Sequence, residues 1–307
     1  MIYTFTLNPA LDKQLSVPEI RFNDVLIAEN IQLDFGGKGF NVSRMLAELE
    51  EPSIALGFLG GQTGKTMQEG LSKQGFELLA LPIAGETRTN ITVVSSTGEK
   101  HIKINEKGPT VTENELQLVF DFIAKNAKAG TLWVLAGSLP PGLDFRVYQK
   151  MSEQIKVLGG NVVLDTSGKA LEAALQAKPK LVKPNLFELS QLTDREIRTL
   201  IEIKQNPQIL AATGAEFVAI SAGEQGALLS NGERIVICQA PKIQEANPIG
   251  AGDAMVAGLT YALYHKLELE ETLKLGVACG TAAAMQSGTK MPKRELVEEL
   301  RQQVQCF

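Results

Sequence analysis

Short, near-continuous apolar runs punctuate the later part of the chain: Trp133–Ala136, Val162–Asp165, Leu181–Lys183 and Phe217–Ser221. Runs of this length without alternation fit strands buried on both faces of a parallel sheet. Longer segments with helical spacing separate them. Thr112–Lys128 opens with Thr112 and Glu115 at capping-box spacing, then sets Leu116, Val119, Phe120 and Ile123 on one face. Such alternation predicts an α/β sheet layered by helices. Two early segments break the rhythm. Asn90–Ile104 is β-rich, with Thr97-Gly98 as a hairpin turn and Ile102 and Ile104 in period two, and Ser16–Phe35 has β character without a helical period. Neither is long enough for a domain of its own. Together they predict a small sheet projecting from the main one, with an apolar face to be covered by substrate, by closure or by a second subunit.

Composition narrows the function classes. The 307 residues carry 30 Lys and Arg against 35 Asp and Glu, a net charge of −5 with no basic run, which argues against nucleic acid as a partner. Only His101 and His265 could serve a Ser-His-Asp triad. Cys238, Cys279 and Cys306 lie far apart and lack metal spacing, against both a zinc site and a secreted disulfide framework. The start, Met1-Ile-Tyr-Thr-Phe-Thr-Leu, lacks the basic region of a signal peptide, and no apolar run reaches the ~18 residues that span a bilayer. The expectation is a cytoplasmic protein with no membrane partner.

The sharpest local signal is Asn247-Pro-Ile-Gly-Ala-Gly-Asp253 followed by a helical segment. Glycines at 250 and 252 let bare backbone approach a ligand, and the free N–H groups of the helix start suit phosphate oxygens. Asp253 at the edge of such a pocket is electrostatically awkward unless it binds metal or accepts a proton; its plain alternative is an N-cap. A second element, Gly36-Gly-Lys-Gly-Phe-Asn41, also precedes a helix and offers Lys38 and Asn41 to a polyhydroxylated or anionic ligand. Leu59–Thr66 imitates the end of a P-loop, but Leu59 stands where the pattern needs glycine, so an ordinary strand-to-helix turn is expected. No G-x-G-x-x-G supports a dinucleotide fold. Gly137-Ser138, Asp165, Asn185 with Glu188, and Ser221-Ala-Gly223 stand at predicted strand ends, where open α/β sheets bind ligands. Asn185 and Glu188 read either as oxygen ligands holding Mg²⁺ through water or as a cap with its N3 partner.

Gly36–Asn41 and Pro248–Asp253, in this order and spacing, resemble the two signatures of the ribokinase/PfkB family of sugar kinases, and the resemblance runs over essentially the whole chain. Leu7–Asp12, Thr87–Asn90, Gly137–Gly142 and Lys183–Asn185 resemble the branch that acts on hexose phosphates. The resemblance implies a ribokinase-like three-layer α/β sandwich with a mostly parallel central sheet. Residues 1–9, 36–86 and 111–307 would form the core, and 10–35 with 87–110 a discontinuous β lid through which a homodimer assembles. It implies Asp253 as catalytic base and Gly250, Ala251 and Gly252 as the anion hole. Asp12, Gly37 and Asn41 would meet sugar hydroxyls, and Lys38, Arg88 and Ser138 the substrate phosphate. Asn185, Ser221 and Gly223 would serve ATP, with Glu188 holding Mg²⁺ through water. A monovalent cation is a further co-ligand that the resemblance admits. Arg88 is the better marker of a phosphorylated substrate, since a guanidinium binds phosphate through paired donors. Ala254 and Ala222 depart from the branch's usual Ser and Leu, which weakens inference about nucleotide contacts. The implied reaction is ATP-dependent phosphorylation of fructose 1-phosphate, favoured because that metabolite is widespread, with tagatose 6-phosphate as the alternative substrate. With an ordinary carboxyl pKa near ~3.9, Asp253 would take its proton late in the transfer. A non-catalytic sugar-phosphate or nucleotide sensor is the reading from another class; Asp253 and the intact Gly-Ala-Gly stand against it.

Overall fold

The computed structural model describes residues 1–97, 100–286, 288 and 290–307. In chain order its strands are β1 (Ile2–Thr6), β2 (Ala10–Val17), β3 (Asn30–Gly36), β4 (Ser53–Leu59), β5 (Glu77–Pro82), β6 (Arg88–Ser95), β7 (His101–Ile104), β8 (Leu132–Ala136), β9 (Asn161–Asp165), β10 (Leu181–Val182), β11 (Phe217–Ser221), β12 (Ala227–Ser230), β13 (Ile235–Gln239) and β14 (Gln305–Cys306). The helices are α1 (Lys38–Glu48), α2 (Gly61–Leu71), α3 (Glu113–Asn126), α4 (Val147–Val157), α5 (Gly168–Leu175), α6 (Leu186–Thr193), α7 (Leu200–Gln205), α8 (Gln208–Ala211), α9 (Ala251–Tyr264), α10 (Leu269–Ala284) and α11 (Arg294–Gln303).

One sheet runs β14-β13-β12-β11-β10-β9-β8-β1-β4-β5. From β11 to β5 the pairing is parallel throughout, and β12, β13 and β14 close the other edge antiparallel. Its central strands are apolar on both faces because each face is covered by helices. Tyr3, Phe5, Trp133 and Leu135 pack with Val119, Tyr148, Leu171 and Leu189 of α3–α6. Their neighbours Ile2, Leu132, Val134 and Ala136 pack with Val42, Ala254, Leu273 and Val297 of α1 and α9–α11. Alternation within one strand thus feeds two cores, and the expected three-layer sandwich follows.

The expected strands at β8, β9, β10 and β11 are present with ends shifted by a residue or less. Thr112 caps α3 in a reciprocal capping box with Glu115, and Val119 and Ile123 are its buried positions. The smaller sheet runs β3-β2-β6-β7, with β2 parallel to β6 and antiparallel to β3. Its first β segment starts at Ala10 rather than Ser16, because β2 pairs along its whole length with β6. Of the expected Thr97-Gly98 turn, Gly98 lies outside the described residues.

Two expectations are settled by contacts between distant segments. Cys238 and Cys306 face each other in register across β13 and β14 and form a disulfide, which spacing in sequence gave no reason to expect. At the P-loop look-alike, β4 turns into α2 as anticipated, and the helix start is already filled. The Glu86 carboxylate accepts the Thr63 N–H at 2.6 Å and the Gln62 N–H at 3.2 Å, and these bonds hold its pKa below the usual range. A carboxylate of the protein occupies the place a phosphate would need.

Candidate active site

The strands β11, β10, β9, β8 and β1 are sheet neighbours, and their carboxyl ends carry a row of polar residues. Ser221 ends β11, Lys183 follows β10, Asp165 ends β9, Gly137 and Ser138 follow β8, and Asn8 lies just past β1. This is the edge at which open parallel sheets bind ligands.

Two helices start above the row. Glycine lets α1 begin against β1: a Cβ on Gly37 would come within 2.5 Å of Thr6 Cγ2, and one on Gly39 within 2.5 Å of the Phe5 carbonyl oxygen. The Phe40 N–H donates to Thr6 Oγ1 at 3.1 Å. Asn41 is thereby carried to the start of α9, where its Nδ2 donates to Asp253 Oδ2 at 2.7 Å across 212 residues of chain. The two glycine-rich elements share one site. Gly250, at φ +86°, turns the chain into α9, and among the described residues no side chain caps this helix start as Glu86 does that of α2. A Cβ on Gly252 would lie 3.7 Å from Lys183 Nζ, so an ammonium borders the bare backbone. Helix dipole and ammonium together favour anionic oxygens here.

The charges around this point are interlocked. Asp165 is buried and pairs with Lys38 Nζ at 3.0 Å and Lys183 Nζ at 3.3 Å. Burial works against its charge, but the two ammoniums outweigh that and hold its pKa below the usual carboxylate range. Asp165 in turn raises the pKa of Lys38, with Asp253 and Glu188 adding to the effect. Asp253 is pushed up to about 6, first by burial and with Asp165 contributing, while Lys38, the Asn41 hydrogen bond and Lys183 oppose the rise. The carboxylate is a stronger base than its ordinary pKa suggests.

Residues of the small sheet face the β1–β8 end of the row. Asn90 Nδ2 donates to Asp12 Oδ1 at 2.7 Å, and burial raises the Asp12 pKa. Arg88 donates from Nε to the Pro9 carbonyl (3.3 Å), from one terminal nitrogen to the Glu106 carbonyl (2.8 Å) and from the other to the Asn8 carbonyl (2.9 Å). A guanidinium has five N–H groups. Arg88 therefore keeps one on each terminal nitrogen for a ligand. A cavity of about 480 Å³ opens there, walled by Asn8, Arg88, Lys107 and Ser138 on its polar side and by Leu139 and Phe145 on its apolar side. Asn8 Oδ1 is buried in this wall and has no hydrogen-bond partner among the described residues. Lys38 and Asp253 are not among the cavity walls, and Lys38 pairs with Asp165 rather than standing beside Arg88. Asn41, expected on the sugar, has both ends of its amide engaged, by Asp253 and by Arg44.

At the other end, Asn185 and Glu188 form the reciprocal capping box of α6: Asn185 Oδ1 accepts the Glu188 N–H and Glu188 Oε2 accepts the Asn185 N–H. The structural alternative for this pair is realised. It leaves Glu188 Oε1 with no bond to the cap. Among the described residues no three acidic, Cys or His side chains gather into a metal cage. That donor set suits Mg²⁺ only as an ion held mainly by phosphates and water, with one carboxylate beyond the water. Ser221 bridges to Asn185 in parallel register, and Gly223 at φ +56° opens the turn beyond β11. Asp165 was visible as a strand-end polar residue and Lys183 within a motif, but neither had a role until their ion pairs were seen. Lys107 and Arg44 gave no sequence signal, since Lys107 lies in a strand-free segment and Arg44 on what reads as an ordinary helix.

A helix start beside a buried carboxylate and two ammoniums suits an enzyme that passes a phosphoryl group to an alcohol. The profile of the pfkB family carbohydrate kinase matches residues 9–295, and the chain belongs to this family of sugar kinases. It is 36% identical to the 1-phosphofructokinase of Borreliella burgdorferi over 286 residues, covering 93% of this chain and 92% of that one. Among solved structures it resembles phosphofructokinase-2 from Escherichia coli in complex with potassium, with TM-score 0.92, 30% identity and 98% of each chain covered. The tetrameric inhibited form of that enzyme matches with TM-score 0.91 at 29% identity, again over 98% of each chain. No helix among the described residues is long and apolar enough to cross a membrane.

Proposed function

We propose that the protein transfers the γ-phosphoryl group of ATP to the free primary hydroxyl of fructose 1-phosphate, giving fructose 1,6-bisphosphate. The carrying observation is the contact between Asn41 and Asp253 at the uncapped start of α9. On this reading the two substrates lie at opposite ends of the polar row. ATP lies at the β10–β11 end over Asn185, Ser221 and Gly223, and the sugar lies at the β1–β8 end beneath Asp12 and Arg88. The sugar's phosphate meets the spare N–H groups of Arg88 with Lys107 and Ser138, and Asn8 Oδ1 accepts a ring hydroxyl. Gly37 leaves room beside that ring.

In the reaction the hydroxyl proton passes to Asp253 as its oxygen bonds to phosphorus, and the bond from the γ-phosphorus to the β–γ bridging oxygen breaks. A loose transition state needs positioning and charge neutralisation more than covalent help. The backbone N–H groups of Gly250 and Gly252, with Lys183 and Lys38, meet the oxygens of the transferring group, while the Ala251 N–H donates to the Pro248 carbonyl at 3.3 Å. Mg²⁺, held through water by Glu188, would supply further neutralisation of the phosphate oxygens. A monovalent cation is a second co-ligand on this reading, supported by the potassium complex of the similar enzyme.

The small sheet acts as a lid in this reading, because Asp12 and Arg88 reach the sugar from β2 and β6. Phe22, Val25 and Ile27 are at least 80% exposed beside it, and Ile31 stands out from β3. Apolar exposure on this scale favours a homodimer in which the lid of a second copy covers it; the tetrameric form of the similar enzyme supports assembly in this family. A coupled assay with ATP and a panel of phosphorylated ketohexoses tests the substrate, with fructose 1-phosphate expected to have the highest kcat/KM. Arg88→Met should raise KM for that sugar by roughly 10- to 1,000-fold, the loss typical of a truncated buried charge contact, with KM for ATP little changed. Equal turnover of unphosphorylated fructose would remove the phosphate-site assignment.

A further inference from the structure

We propose that Arg44 is a positioning residue that links the small sheet to the catalytic carboxylate. It lies on α1 one turn after Asn41 and is buried. One terminal nitrogen donates to Asn41 Oδ1 at 2.7 Å, and the other donates to the carbonyl of Phe35, near the end of β3. Asn41 Nδ2 then donates to Asp253 Oδ2 at 2.7 Å. The path runs from lid backbone through guanidinium and amide to the base.

The direction of the path follows from donor chemistry. A guanidinium has only donors, whereas an amide has a donor end and an acceptor end that a flip exchanges. Arg44 holds Oδ1, so Nδ2 must face Asp253. The carboxylate alone enforces this orientation only while ionised. Once Asp253 is protonated, a flipped amide becomes an equally good partner, because Oδ1 then accepts the new O–H. Arg44 forbids that flip. Oδ2 stays occupied by the Asn41 N–H through the whole cycle, and the hydroxyl proton is taken on Oδ1 of Asp253. The same link makes the amide's position depend on where β3 ends, so that a displaced lid disturbs the base.

Charge adds a second effect of the same residue. Asp253 faces Lys38 from α1, Lys183 beyond β10, Asp165 on β9 and Arg44, while Arg44 also feels Asp34 on β3 and Asp12 on β2. Burial brings the Arg44 pKa down to about 10, so it remains a cation throughout the working range. Removing it withdraws a positive charge that favours ionised Asp253.

The inference rests on Asp253 being the base, and three variants separate the two claims. Arg44→Met, checked for folding by thermal melt, is expected to lose about 10- to 100-fold in kcat, the scale of a slightly misplaced catalytic group. Its KM for ATP should stay near the wild-type value, and the acidic limb of kcat/KM should move to higher pH. Arg44→Lys keeps the charge without the fork, so its limb should stay in place while kcat still falls. A folded Arg44→Met enzyme with unchanged kcat and limb, beside an inactive Asp253→Asn enzyme, overturns the role of Arg44 alone. Should Arg44→Met fail to fold, wild-type kcat in Arg44→Lys overturns it instead. An active Asp253→Asn enzyme overturns both claims together.

Discussion

Asp253→Asn is expected to lower kcat at least ~100-fold, the lower end of what general-base catalysis contributes, while ATP and sugar phosphate still bind. Wild-type kcat/KM should fall on the acid side with an apparent pKa near about 6, because protonated Asp253 cannot take the alcohol proton. The same shift predicts an unusual stability effect. The folded state holds the Asp253 proton more tightly than the unfolded chain does. The contribution of Asp253 to stability is therefore fully present below its unfolded carboxyl pKa and is lost as pH rises through about 6. Asparagine removes the cost of the buried charge. The inactive variant should melt above the wild type at pH 7.5, by at most ~3 kcal/mol for a shift of roughly two units, and the gap should close towards pH 4. Thermal melts across that range measure it, and a variant less stable at every pH would contradict the account.

Asp165→Asn is expected to act in the opposite direction on stability. Asp165 and Lys183 are both buried, so removing the carboxylate leaves an ammonium without its counter-charge. Breaking such a pair costs about 3–5 kcal/mol. The Lys38 half contributes less, because Lys38 is partly exposed and screened. The folded pKa of Asp165 is lowered, so its contribution is present above the unfolded pKa and is lost as acid protonates it. Denaturant titrations should show a large deficit at pH 7 that shrinks in acid. Because Asp165 helps to raise the Asp253 pKa, the acidic limb of residual activity should also move to lower pH. A variant as stable as wild type at pH 7 would show that the ion pairs do not hold this part of the site.

Local patterns were legible where local physics decides them. The apolar runs of β8, β9 and β11 announced two-sided burial, Thr112 and Glu115 announced the start of α3, and Leu59 in place of glycine disqualified the P-loop. Gly36–Asn41 and Asn247–Asp253 were each recognisable as backbone built for close approach. The Asn185–Glu188 pair was ambiguous, because the same spacing serves a cap and a ligand set; the structure makes it a cap with one oxygen to spare. Lys38 was placed with the substrate phosphate by the resemblance, and the structure pairs it with Asp165.

The chain by itself determined a helix-layered α/β sheet, the glycines that let helices start against strands, and the presence of a carboxylate after Gly250-Ala-Gly252. Each of these depends on neighbours within a few residues, through periodicity, capping or backbone freedom. Tertiary structure decided which charges meet. Asp253 becomes a base of pKa about 6 because folding buries it beside Asp165 and against Lys38, Lys183 and Asn41, and Arg44 becomes its support because β3 ends at α1. Electrostatic energy depends on distance through space and on excluded water, and neither is written in the order of the residues.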